Sequence, residues 1–393
     1  MKNRLIALTL LSATAGVVAL YPAYQSIGGV TPPQVVATQP PPGIIAQQQQ
    51  RIEVVFVLDT TGSMGGMIEA AREKIWSIAS SMASADPAPE IRIGLVAYRD
   101  RGDSYVTRVL DLSQDLDSIY AELMEFRAAG GGDGPESVNQ ALNEAVNRIS
   151  WSQDDDTYRA IFLVGDAPPH MDYPDETGYP ETVRLAGQRG IVVNAIQCGD
   201  SPRTRSEWNR IAQLGRGSYF QVGQNGGALA ISTPFDEQIA GLSRKLDQTR
   251  LYYGSEEKRE QQQKKLAASE KLHTEASVES RARRATFNAS KSGRDNFLGE
   301  GELVADIASG RVEMDSIDPT HLPEPMRAMA PEAQQAIVKE KLEQRNELER
   351  QINRLAEQRA DYIKEQVAKR GDAETSLDHK IYQAVKRQAE SKG

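Results

Sequence analysis

The chain has 393 residues, 39% of them hydrophobic and 26% charged, with 55 acidic side chains against 46 Lys and Arg and a net charge of -9. That length holds one domain of ordinary size plus substantial further material. The acidic balance, without clustered Lys and Arg, excludes a nucleic-acid binder, because neutralising phosphates requires such clusters. Cys198 is the one cysteine, so no intrachain disulfide forms and the fold relies on its core.

In chain order, Met1 to Leu20 opens on Lys2 and Arg4 and continues as the uncharged run LIALTLLSATAGVVAL. Residues 1–20 therefore read as a signal peptide or signal anchor, and the protein is expected to be exported, periplasmic or associated with the cell envelope. If uncleaved, the segment is a membrane tether, although its apolar run is short for a full span. Residues 21–50 carry Pro32-Pro33, Pro40-Pro41-Pro42 and Gln47 to Gln50 and read as an extended spacer.

From Arg51 strand and helix signals alternate, which predicts βα units and a mostly parallel sheet. RIEVVFVLD, from Arg51 to Asp59, is a β-branched apolar run without polar alternation, the pattern of a strand covered on both faces. A helix is expected over Met64 to Met82, a strand over Ile91 to Ala97, an edge strand over Tyr105 to Leu110, and helices over Asp115 to Arg127 and Ser137 to Ile149. Strand Ala160 to Val164, a helix near Glu181 to Gln188, strand Ile191 to Ile196, a helix near Ser206 to Leu214 and strand Gly217 to Val222 complete a domain spanning 51–250. Cys198, at the end of one of these strands, reads as a small buried filler.

Three loops in this domain carry oxygen-rich residues. Asp59, Thr61 and Ser63 are spaced two apart after the first strand; Gly130 to Glu136 reads GGGDGPE; and Asp166 follows Gly165 at the end of the fourth strand run. Acids at the carboxyl ends of strands in an α/β sheet share one edge, where ligands bind. Hard oxygen donors in that place suit Mg²⁺, Mn²⁺ or Ca²⁺. Taken alone, Asp59 and Ser63 serve equally well as caps for the helix that follows.

Together these motifs resemble the von Willebrand factor A domain with its metal-ion-dependent adhesion site. The family's D-x-S-x-S is matched by Asp59, Thr61 and Ser63, with Thr in the middle place. The family's second-loop Thr falls on Asp133, within a GG-x-D-x-P-E pattern, and its third-loop Asp on Asp166. The resemblance implies a Rossmann-like α/β fold with a six-stranded, mostly parallel sheet flanked by helices. It further implies a divalent cation, Mg²⁺ foremost, held by Asp59, Thr61, Ser63, Asp133 and Asp166, and a protein partner that offers an acidic side chain to the cation. The expected activity is binding, not catalysis.

A competing resemblance is to the phosphorylation loop of haloacid-dehalogenase-type phosphotransferases, in which Asp59 would be the nucleophile. The phosphatase version of that loop needs a second Asp where this chain has Thr61, and Gly132-Asp133-Gly134 follows a helix instead of a strand. A structural scaffold with an idle metal site is a third alternative. His170, alone on a Pro-rich loop, reads as surface decoration, and Tyr173 and Tyr179 on the same loop are candidates for touching a partner. Asp154-Asp155-Asp156 lacks the regular donor spacing of a calcium loop and reads as solvated.

Past Gly254 the βα pattern stops. Residues 255–393 are expected to form an α-helical, coiled-coil-like arm. In it, Glu256 to Arg284 reads as one long solvated helix, 287–322 as a small α+β insert, and a second long helix begins at Ala330-Pro331-Glu332. Leu348, Ile352, Leu355 and Tyr362 approximate a heptad stripe interrupted by Arg359. The expected use of that stripe is an internal hairpin with the Glu256 to Arg284 helix; the alternative is pairing with a second copy.

Overall fold

The computed structural model describes residues 51–83, 88–132, 134–224 and 231–370, together with positions 381, 384, 385, 387 and 388. The leader and spacer expected over 1–50, and Asp133, lie outside the described residues. Six strands form one sheet in the order β3-β2-β1-β4-β5-β6. They are β1 (Arg51–Asp59), β2 (Glu90–Tyr98), β3 (Thr107–Ser113), β4 (Thr157–Gly165), β5 (Ile191–Cys198) and β6 (Arg216–Val222). All pairings are parallel except that of β3, which runs antiparallel to β2 at the edge.

The central strands are buried along most of their length, and mostly apolar, because helices cover both faces. On one face Ile161, Leu163, Val193 and Ala195 pack under α3 (Val138–Asn147), α4 (Tyr179–Gln188) and α5 (Pro202–Leu214). On the other, Leu58, Ile93, Phe162 and Ile196 pack under α1 (Gly65–Ala83) and α2 (Leu116–Leu123). Alternate residues of each strand thus supply both cores, as the two-residue period of a pleated strand requires. Cys198 is buried and free.

The C-terminal region is helical and packs on the second of these faces. Helix α6 (Asp236–Asp247) is followed by α7 (Glu256–Glu275), α8 (Val278–Asn288), α9 (Arg294–Leu298), α10 (Leu303–Ala308) and the long α11 (Pro331–Arg370). The single solvated helix expected over Glu256 to Arg284 is in fact two. The chain turns extended at Ala276, and the Ser277 hydroxyl accepts from the Ser280 amide to start α8. Helix α8 is not solvated: Ala282, Arg284, Ala285 and Phe287 are buried, and Phe287 meets Trp76 of α1 with ring centroids 5.9 Å apart.

Helix α7 lies on α2, where Lys265 pairs with Asp115 at 2.7 Å and Ser269 donates to Asp117 at 2.8 Å. The Asn296 side-chain oxygen of α9 accepts from the backbone N–H groups of Leu116 and Asp117 at 2.6 and 3.3 Å. It thereby satisfies amides that the first turn of α2 leaves without helical partners. The insert expected over 287–322 is built of α9, α10 and short 3-10 turns; its extended pairing among the described residues is an isolated bridge between Tyr252 and Glu302.

The stripe on α11 packs on α6, α8 and α9 and not in a hairpin with α7. Leu348 and Ile352 are buried, with Leu355 beside them, against Ile239, Leu242, Ala285 and Phe297. Arg359, which interrupts the stripe, is buried because its guanidinium meets Asp236 of α6 at 2.6 Å.

Candidate functional site

Strand β1 ends on Asp59, which is fully buried. Its Oδ1 accepts from the Thr61 amide at 2.8 Å and from the Thr61 hydroxyl at 2.6 Å. The Thr61 hydroxyl in turn lies 3.4 Å from that of Ser63. The other oxygen, Oδ2, is buried with no hydrogen-bond partner among the described residues. A buried carboxylate oxygen without a partner costs free energy, and native folds keep few of them unless something else uses them.

The second loop is fastened to the first by backbone bonds: the Gly62 amide donates to the Gly130 carbonyl at 3.1 Å and the Ala129 amide to the Thr60 carbonyl at 3.2 Å. Gly130 and Gly131 take φ of 78° and 74°, the left-handed region glycine enters without strain. A Cβ on Gly130 would also collide with the Asp103 carboxylate, and one on Gly131 would stand 2.9 Å from Glu136 Oε1 and 3.1 Å from Thr61 Cβ. Glu136 therefore lies directly beneath the glycine turn, against Thr61. Its Oε2 is a second buried oxygen without a partner among the described residues.

The third loop leaves β4 at Gly165, where a Cβ would sit 3.0 Å from Asp59 Cβ and 3.1 Å from Asp59 Oδ2. Asp166 is the next residue. Its Oδ2 accepts from Gln224 Nε2 at 2.6 Å, and that nitrogen also reaches the Ser63 carbonyl at 3.2 Å. The Thr204 hydroxyl of α5 donates to the Asp166 carbonyl at 2.9 Å. Between the three loops opens a cleft of about 510 Å³ lined by residues that include Thr61, Ser63, Gly131, Glu136, Asp166 and Thr204. Asp59 is bonded to the lining residue Thr61 and is itself fully buried.

Electrostatics follow from this crowding of acids away from water. Burial pushes the Asp59 carboxyl up to about 7, against the two hydrogen bonds from Thr61, and Asp166 adds to the rise. Glu136 is pushed up to about 9, first by burial and then by the charges of Asp59, Asp100, Asp103 and Asp166.

Of the five site residues expected from sequence, Asp59, Thr61, Ser63 and Asp166 come together, and Asp133 lies outside the described residues, between Gly132 and the cleft-lining Gly134. Among the described residues no group of three or more His, Cys, Asp or Glu side chains forms a metal cluster.

Glu136 and Gln224 were missed. Glu136 was visible as the acid closing the glycine-rich run; Gln224, beyond the last strand, carries no local signal. His170 is a correction: it is buried, stacked on Tyr173 at 4.2 Å, with Nδ1 2.8 Å from Asp172 Oδ1 and Nε2 3.3 Å from Asp100 Oδ2. Tyr179 is a second correction, because it is buried with its hydroxyl on Glu207 at 2.5 Å and so does not face a partner. Tyr173 is half-buried, with Arg101 over its ring at 4.0 Å.

Residues 53–234 match the family model of the von Willebrand factor A domain. This segment is a von Willebrand factor A domain, a class that typically serves as a protein-interaction module. The chain is 37% identical over 114 residues to von Willebrand factor A domain-containing protein 7 of Mus musculus, a stretch covering 29% of this chain and 12% of that protein. Against the Homo sapiens protein of the same name the identity is 35% over 114 residues, again 29% of this chain and 12% of the relative. The chain thus spans about an eighth of the length of these relatives. The crystal structure of the SpRpn10 VWA domain aligns with 44% of this chain and 89% of its own at 11% identity and a TM-score of 0.35.

Proposed function

We propose that the domain binds a partner protein through a divalent cation, Mg²⁺ foremost and Mn²⁺ or Ca²⁺ as alternatives, in the envelope of an exporting cell. The residues that would hold the cation are Asp59, Thr61, Ser63, Asp133 and Asp166. Bound there, a cation would supply a positive centre to which an acidic side chain of the partner adds its own oxygen.

The observation that carries this function is the pair of buried carboxylate oxygens, Asp59 Oδ2 and Glu136 Oε2, left without partners among the described residues beside a cleft of hydroxyls and acids. No donor among the described residues answers them, and hard oxygens of this kind match hard cations. Thr61 fixes the Asp59 carboxylate through both its amide and its hydroxyl, Gln224 holds Asp166, and the glycine turn leaves the cleft open above them. Binding is favoured over phosphoryl transfer because Asp59 is fully buried with one oxygen already accepting two bonds, a poor position for in-line attack.

The test is calorimetric titration of Mg²⁺, Mn²⁺ and Ca²⁺ into the full chain and into its Asp59→Asn and Asp166→Asn variants. Saturable heat that both substitutions abolish is the expected result, and pull-down of a partner should then fail in chelator. Equal affinity in all three proteins removes the site, and no heat from the parent leaves the scaffold with an idle cleft.

A further inference from the structure

His170 stands where separate parts of the cleft wall meet. Its amide donates to the Glu136 carbonyl at 3.1 Å, its carbonyl accepts from Asn139 Nδ2 of α3, and its ring is stacked on Tyr173 of its own loop. The ring is buried between two carboxylates. Nδ1 lies 2.8 Å from Asp172 Oδ1, and Nε2 lies 3.3 Å from Asp100 Oδ2 in an ion-pair contact without an aligned hydrogen bond. Asp100, just past the end of β2, is fixed in turn by the Ser137 hydroxyl at 2.9 Å and the Tyr173 hydroxyl at 3.2 Å.

A count of protons restricts the state of this ring. A neutral imidazole has one N–H and one lone pair. With the proton on Nδ1, the lone pair of Nε2 faces Asp100; with the proton on Nε2, a lone pair faces Asp172. A ring holding both protons is the one form that suits both acids. Asp172 is ionised, because the hydrogen bond from His170 holds its carboxyl below the ordinary range. Asp100 accepts from two hydroxyls and so serves as an acceptor on the other side. The charged groups further out are Arg101, over the Tyr173 ring at 4.0 Å, Arg203, whose charge acts on Asp172, and Glu136, pushed up to about 9 by burial.

We propose that His170 is a proton-operated clasp on the loop that carries Asp166. As an imidazolium it ties that loop to Asp100 and to the start of α3; as a neutral ring it turns a lone pair on one of its two acids and releases the loop. His170 is thus a positioning residue that acts through Asp166 and does not meet the cation. Stability lent by a base that gains acidic partners in the fold is complete at low pH and is lost as pH rises through the imidazole range, between about pH 6 and pH 8. The link to cation affinity rests on the function proposed above, whereas the clasp itself does not.

The test compares the full chain with its His170→Gln and Asp172→Asn variants, without added cation. In protein labelled with 15N-histidine, the His170 signal, identified by its loss in His170→Gln, should show both ring nitrogens protonated at pH 6. Hydrogen exchange over residues 166–176, corrected for intrinsic rates, should show protection about tenfold greater at pH 6 than at pH 8 in the parent. His170→Gln should remove that step. Asp172→Asn, whose side chain is exposed and whose amide can donate to a neutral ring, should keep the loop protected at both values. A parent loop equally protected at both, or a step that survives either substitution, overturns the proposal; should His170→Gln not fold, Asp172→Asn decides alone. At pH 6, Mg²⁺ affinity of His170→Gln should be about tenfold below the parent's, the cost of ordering one freed backbone residue on binding. That comparison is made at one pH because Asp59, pushed up to about 7, titrates in the same range. A parent without Mg²⁺ affinity sinks the cation reading and leaves the loop measurements to judge the clasp.

Discussion

Replacing Arg284 with Met should detach the C-terminal helices from the sheet domain. Arg284 is buried, and its guanidinium contacts Asp117 of α2 at 2.6 and 2.5 Å and Asp247 of α6 at 2.8 and 3.2 Å, with the Ser243 hydroxyl at 3.0 Å. Without it, Asp247 keeps His273 at 2.6 Å and Arg250 at 3.1 Å. Asp117 keeps the Ser269 hydroxyl at 2.8 Å, so the uncompensated charge falls mainly on Asp117. Removing one partner of a buried pair in this way costs about 3–5 kcal/mol. Adding Asp117→Asn removes that stranded charge and should recover about half of the loss. The assay is urea unfolding followed by tryptophan fluorescence, since Trp76 packs on Phe287 of α8. Arg284→Met within about 1 kcal/mol of the parent, or a double variant no better than the single, would refute the argument.

The same cluster sets an acid limit. Burial alone would raise the Asp117 carboxyl, but the charge and hydrogen bonds of Arg284 override it and hold the group at about 2. A carboxyl depressed in the folded state lends stability that is complete above its unfolded value and is lost as pH falls toward the folded one. Urea midpoints should therefore drop between about pH 4 and pH 2 in the parent, and less steeply in Asp117→Asn. Arg345→Met should cost about 3 kcal/mol, because the buried Arg345 makes two 2.9 Å bonds to the buried Glu302; a thermal melt checks it. Gly130→Ala should leave the fold standing but lower Mg²⁺ affinity about tenfold, by strain at φ 78° and by displacing Asp103; calorimetry beside an unchanged circular dichroism spectrum checks it. If the cleft holds a cation, a hundredfold excess of Mg²⁺ over its dissociation constant should stabilise the parent by about 2.7 kcal/mol and Asp59→Asn not at all, read by urea unfolding.

The elements of the sheet domain were legible because burial on both faces writes itself into uninterrupted apolar runs, and those runs end where the acids begin. Asp59 and Asp166 could be assigned to one edge from topology alone, since parallel strands place all their carboxyl ends together. Glu136 and Gln224 were not, because a side chain that reaches the site from beneath a turn, or from past the last strand, leaves no periodic trace. In the C-terminal third the helical character was legible, and its packing was misread for a different reason. Arg284 and Arg359 look like solvent markers in a sequence, and here each is buried against an acid from a distant part of the chain, Asp117 or Asp247 for the first and Asp236 for the second. A charge whose partner lies 167 or 123 positions away cannot be told from a solvated one by local pattern. That also explains why the hairpin was the wrong expectation: the stripe on α11 is apolar enough to suit any partner, and it is the Arg359–Asp236 pair that specifies α6.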